Sequence, residues 1–134
     1  MKILVVEDDN VAILGVRKIL KSIEPPVDVL IAENGKEGLD LLAEAENADV
    51  DFVLLDLNMP IMNGIEFLSA VRKNNLIQDL PIVVHSTSDN PQEVKKSREL
   101  GIHGYFVKHF DYSQFRKNLI TIVNYWTESK QKKT

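Results

Sequence analysis

Cysteine is absent from the 134 residues, so the chain has neither a disulfide framework nor a thiolate site. No apolar run approaches the about 20 residues that cross a bilayer. The opening MKILVV meets Glu7, Asp8 and Asp9 at once, which leaves too short an apolar core for a secretory signal. The chain is therefore expected in the cytoplasm, with no membrane partner. An excess of positive charge is missing too. The net charge is −4, which argues against broad nucleic-acid binding, and no direct DNA contact is expected. The one basic cluster, Lys130, Lys132 and Lys133, reads as a frayed, solvated end. Internal repeats and low-complexity linkers are also lacking. What remains, 44% hydrophobic and 27% charged residues, is ordinary for one soluble domain with a single core.

The stretch that organises the rest is 52–60, FVLLDLNMP. Its apolar run ends in one carboxylate, Asp56, and Pro60 stops any regular extension. A short apolar run bounded by loop signals reads as a strand buried on both faces. An aspartate at the carboxyl end of such a strand sits where open α/β sheets place their ligands. Similar strands are expected at 3–6, 27–32, 81–86 and 103–107.

Helical patterns fill the intervals. Ala12, Val16, Ile19, Leu20 and Ile23 repeat at helical spacing after an Asn10 cap. Val11, Ile13 and Leu14 lie off that stripe. Some of them are expected to be exposed, and a contiguous patch of them would mark a docking surface. A capping box at Asn34 and Glu37 opens a second helix through about residue 45, with Leu39, Leu41 and Leu42 inward. A third covers 64–73, with Ile65, Leu68 and Val71 on one side. Asn90, Pro91 and Glu93 supply an N-cap, a first-turn proline and a capping-box glutamate for the fourth. Asp111 opens the fifth, whose stripe is Phe115, Leu119, Ile122 and Trp126. The order is β-α five times. It predicts a doubly wound α/β fold, (βα)5, with a five-stranded parallel sheet and helices on both faces. One domain over 1–127 is expected, followed by a basic tail over 128–134 without fixed structure.

In a parallel sheet all carboxyl strand ends share one edge. That edge collects Glu7, Asp8 and Asp9, then Asp56, then Ser86 and Thr87, then Lys108. Two carboxylates about 4 Å apart repel by about 4 kcal/mol at an effective dielectric near 20. Lys108 offsets part of this, and a hard divalent cation with oxygen ligands, Mg2+, offsets more. A metal beside a carboxylate and a lysine suits phosphoryl chemistry, with Asp56 as nucleophile.

VVEDD, VLLDLNMP with Gly64 following, the hydroxyl at the end of PIVVHS, and GYFVK together resemble a response-regulator receiver domain of the chemotaxis-regulator type, over roughly residues 2–125. The resemblance implies strand order 2-1-3-4-5. It implies that Asp56 accepts a phosphoryl group from a phosphohistidine of a sensor histidine kinase or phosphotransfer protein. Glu7, Asp8, Asp56 and the backbone carbonyl of Asn58 match the site for Mg2+ or another divalent ion such as Mn2+. Asp9 falls one place beyond the acidic pair, as a helix-start acid. Lys108 matches the lysine that contacts phosphoryl oxygens. Ser86 matches the switch hydroxyl by its count from Pro81, and a one-residue slip would exchange it with Thr87. Tyr105 matches the aromatic that swings inward when that hydroxyl moves. Asn58 and Ser88 match positions that tune phosphoaspartate lifetime. Residues 90–100 and 105–126 match the surface read by a downstream protein, and the first helix matches a kinase contact.

Two positions depart from the pattern. His109 stands where the family usually has a proline joined by a cis peptide, and Asn63 stands where an acid is common. Asn63 is expected to serve the turn. Rival readings fit less well. An aspartate-nucleophile phosphohydrolase resembles D-x-D-x-[TV], but Asn58 replaces the second acid. A flavodoxin-like binder needs glycines and hydroxyls after the first strand, where this chain has acids. A receiver that works without phosphorylation is the remaining alternative, kept open by His109. The protein is expected to act as a self-phosphorylating signalling module and not on a separate metabolite.

Overall fold

The computed structural model describes residues 1–75, 77–108 and 111–132, with the backbone alone for 129–132. The strands are β1 (Lys2–Val6), β2 (Asp28–Ala32), β3 (Phe52–Leu55), β4 (Ile82–Ser86) and β5 (Gly104–Val107). The α-helices are α1 (Asn10–Lys21), α2 (Gly35–Ala43), α3 (Gly64–Lys73), α4 (Pro91–Glu99) and α5 (Tyr112–Lys132). A short 3-10 turn, Ala45–Asn47, follows α2. All strand pairs are parallel, in the order β2-β1-β3-β4-β5.

The three central strands follow from their sequences. The four residues of β3 and the five of β4 are all buried, as helices on both faces require, with His85 and Ser86 the polar members of β4. The edge strands β2 and β5 are only partly buried. Side chains alternate between two cores. On one face Ile3, Val5, Phe52 and Leu54 meet Val16, Ile19 and Leu20 of α1 and Phe115, Leu119, Ile122 and Val123 of α5. On the other, Leu4, Val6, Val53, Leu55 and Val84 meet Leu42 of α2 and Phe67, Leu68 and Val71 of α3.

Several local expectations change. Asp9, not Asn10, caps α1: its side chain accepts from the Val11 N–H at 2.9 Å. Ile13 is buried, so the buried stripe of α1 is wider than the one read from spacing. Val11 and Leu14 remain exposed, at 78% and 67%. Helix α5 runs to Lys132, so 128–132 continue the helix where an unstructured tail was expected. Lys133 and Thr134, like His109 and its peptide bond, lie outside the described residues. No helix among the described residues is long and apolar enough to cross a membrane.

Candidate functional site: an acidic edge with one lysine

Helices α1 and α2 depart to opposite faces, so β1 and β3 flank the point where the strand order reverses. The crevice at their carboxyl ends is the expected ligand position. Register pairs Val6 with Leu55, and the Asp56 N–H donates to the Val6 carbonyl at 2.9 Å. One residue farther on, Glu7 and Asp56 stand side by side. Both are buried, at 4% and 7% exposure, while Asp8 is exposed. Glu7, Asp8 and Asp56 each offer a carboxylate oxygen within 4.8 Å of the others.

Lys108 comes from the end of β5. Its N–H donates to the Ser86 carbonyl at 2.8 Å, which ties the lysine backbone to the next strand end. Its ammonium contacts the Glu7 carboxylate and lies 3.6 Å from Asp56 Oδ2. Glu7 also accepts from the Asp8 and Asp9 N–H groups at 3.1 and 3.3 Å. Burial, and then the hydrogen-bonded Asp56 carboxyl, push the Glu7 pKa up to about 7, against the pull of Lys108. One lysine thus leaves the site short of positive charge. An all-oxygen, carboxylate-rich donor set of this kind fits a hard divalent cation such as Mg2+ or Mn2+.

The β3–α3 loop completes the rim. The Asn58 N–H donates to Asp56 Oδ1 at 3.4 Å, and Asn58 borders a cavity of about 410 Å3 shared with Asp8, Asn63 and Glu93. Gly64 is required here: a Cβ would come within 2.6 Å of the Asp56 carbonyl oxygen. Its N–H donates to the Leu57 carbonyl at 2.9 Å. Asn63 does serve the turn, and more fully than its sequence position suggested. It forms a complete capping box with Glu66 at the start of α3. Ile61 adopts φ +67, a region that a β-branched residue rarely occupies, and is 78% exposed.

Ser86 ends β4 and is fully buried, whereas Thr87 is exposed. The Ser88 N–H donates to Ser86 Oγ at 3.3 Å. The Tyr105 hydroxyl donates to the Ser88 carbonyl at 2.7 Å. Burial raises the Tyr105 pKa above its usual value, and the bond to Ser88 opposes the rise. Glu93 does not close the expected capping box. Ser88 Oγ donates to its carboxylate at 2.5 Å and accepts from the Asn90 N–H at 3.3 Å, so a serine stands between the two helix-start partners. Spacing alone did not reveal that bridge, because Ser88 precedes the cap. The structure therefore gathers Glu7, Asp8, Asp56 and Lys108 at one point. Ser86, Ser88 and Tyr105 form a connected group on the neighbouring strand ends.

Residues 3–120 match the family model described as the response regulator receiver domain. Over 113 residues the chain is 38% identical to a chemotaxis protein CheY homolog of Campylobacter jejuni, covering 82% of each. The phosphorylated cyanobacterial phytochrome response regulator RcpA superposes with a TM-score of 0.87 at 30% identity, over 96% of this chain and 94% of that one. The Mn(2+)-bound form of response regulator Rcp1 gives 0.83 at 29% identity, over 93% of each.

Proposed function

The chain belongs to the response regulator receiver family, and from that premise we propose that Asp56 accepts a phosphoryl group from a phosphohistidine. Receivers take phosphoryl groups from histidine kinases and act on downstream targets; they are signalling proteins, not metabolic enzymes. The observation that carries the assignment to Asp56 is the Lys108 ammonium seated between the buried Glu7 and Asp56 carboxylates.

In the proposed reaction an Asp56 carboxylate oxygen attacks phosphorus. The phosphorus–nitrogen bond breaks, and the electron pair leaves with the donor imidazole. Lys108 moves its ammonium from the acids to the phosphoryl oxygens. Water later attacks the same phosphorus, the bond from phosphorus to the Asp56 oxygen breaks, inorganic phosphate leaves and Asp56 returns to a carboxylate. The family binds Mg2+ or Mn2+ at an acidic pocket. Asp8, Asp56 and Glu7, with the Asn58 backbone carbonyl, would hold such an ion here, and it would supply positive charge to the transferring oxygens. Ser86 is the switch hydroxyl in preference to Thr87, because it is the buried one and meets the loop that Tyr105 holds. Asn58, after β3, and Ser88, after β4, tune the lifetime of the phosphorylated state.

The donor is a sensor histidine kinase or phosphotransfer protein in the cytoplasm. Exposed Val11 borders a cavity of about 330 Å3 floored by Ala12, Gly15 and Phe115, and this supports α1 as the face the donor meets. The downstream protein reads α4, β5 and α5.

The test is intact mass after incubation with acetyl phosphate, with and without Mg2+, on wild type and Asp56→Asn. The expected result is a Mg2+-dependent gain of one phosphoryl group in wild type and none in the variant. No gain in wild type under any condition would overturn the assignment and favour a receiver that binds partners without phosphorylation.

A further inference from the structure

Helix α4 is held to the domain by little apolar burial. Of its nine residues only Ser97 is fully buried. Its two ends are instead fastened by polar groups of different kinds. At the carboxyl end, Arg72 of α3 donates from Nε to the Leu100 carbonyl at 2.7 Å and from Nη2 to the Gly101 carbonyl at 2.9 Å. The same guanidinium donates from Nη1 to the Gln78 and Leu80 carbonyls at 3.0 and 2.9 Å. These bonds join three backbone segments and touch no residue of the acidic edge. They pin that end whatever happens at Asp56.

The amino end is different. Glu93, in the first turn of α4, accepts from Ser88 Oγ at 2.5 Å. Ser88 in turn donates its N–H to Ser86 Oγ and accepts the Tyr105 hydroxyl on its carbonyl. The two groups that define the switch therefore meet at Ser88, and a third bond leads from that residue into α4. We propose that Glu93 is a positioning residue: through Ser88 it couples the Ser86–Tyr105 pair to the seating of the amino end of α4, while Arg72 holds the other end as a pivot. The proposal rests on the reading of Ser86 as the switch hydroxyl. When Ser86 moves, Ser88 loses or changes the alignment that Glu93 needs, and the first turn of α4 is released.

Hydrogen exchange across residues 90–100 tests this in wild type, Glu93→Ala, Ser88→Ala and the double variant. Glu93→Ala also removes a negative charge from a helix amino end, which weakens a helix by itself. Ser88→Ala keeps that charge and isolates the tether. In the unphosphorylated protein each single variant is expected to speed exchange in the first turn of α4 by about tenfold. The double variant is expected to go no further than Glu93→Ala alone, because the tether is already gone there. Unchanged exchange in Ser88→Ala, or fully additive effects, would overturn the proposal.

A second reading uses acetyl phosphate and Mg2+. Glu93→Ala is expected to gain the same phosphoryl mass as wild type but to show less than half of the wild-type phosphorylation-linked change in α4 exchange. A change of full wild-type size in that variant would also overturn the proposal. Absence of any mass gain in wild type would count against the assignment of Asp56 alone. The unphosphorylated comparison would still decide the tether.

Discussion

Helix α1 leaves β1 at Asp9 and helix α4 leaves β4 at Asn90, so both begin at the acidic edge of the sheet. From there they diverge. Helix α1 buries Ala12, Ile13, Val16, Ile19 and Leu20, the last three against the sheet and α5. Helix α4 buries Ser97 and relies on Arg72 at one end and Ser88 at the other. Apolar packing is non-directional and has no single bond whose loss frees the element. A hydrogen-bonded tether is directional and fails when one partner turns away. The helix beside the proposed metal ligands is thus set by packing, and the helix beside the proposed switch hydroxyl is set by bonds that can be exchanged.

The broadest way to break this contrast is to remove one apolar side chain from each helix. Ile19→Ala is expected to destabilise the protein by about 2–5 kcal/mol, because Ile19 is 1% exposed and its cavity cannot collapse freely. Val94→Ala in α4 is expected to cost less than about 1 kcal/mol, as Val94 is only half-buried. Urea melts of the two variants check both values. Equal losses would remove the distinction.

The next effect concerns the acids at the ends of β1 and β3. Lys108→Ala is expected to slow Mg2+-dependent phosphorylation by acetyl phosphate about a hundredfold, since it deletes a positioned cation from a buried site. Divalent-ion binding in that variant should be retained or tightened, because a competing ammonium is gone. Loss of both activities together would mean that Lys108 builds the site and does not act on the phosphoryl group.

The smallest effect follows from Glu7. Its pKa is about 7 in the folded, metal-free protein, against an ordinary 4.5. The folded state therefore holds this proton more tightly than the unfolded state does. The associated stability is fully present below pH 4.5 and is lost as pH rises through about 7. In chelator, the melting temperature of wild type relative to Glu7→Gln should fall by on the order of 5 °C between pH 5 and pH 8. Mg2+ should reverse the fall, because it binds the carboxylate that the higher pH creates. A difference between the two proteins that does not vary with pH would contradict the burial argument.

How much of this the chain discloses by itself depends on the type of interaction. The strands are legible because β3 is a continuous apolar run and β1 and β4 each carry one of three or four residues, and such runs fit few environments. Asp56, Glu7, Asp8 and Lys108 are legible because topology brings strand ends together whatever the loops do. The Ser88–Glu93 bond is not legible, since a serine ahead of a helix cap has many acceptors and only the fold selects one. Of the three residues off the α1 stripe, Val11 and Leu14 are exposed and Ile13 is buried, because helical spacing marks the centre of a buried stripe better than its width. The turn role of Asn63 is legible, and the Asn63–Glu66 spacing also carries the signature of the capping box that opens α3.

The most direct test compares α1 and α4 in one sample. Backbone amide spectra of the Mg2+-loaded protein before and after phosphorylation by acetyl phosphate report both helices at once. The expected result is large shift changes over residues 86–100 and at Tyr105, with the buried turns of α1, residues 13–20, close to their starting positions. Shifts of equal size in α1 and α4, or a silent α4 in a protein that has gained the phosphoryl mass, would contradict the account.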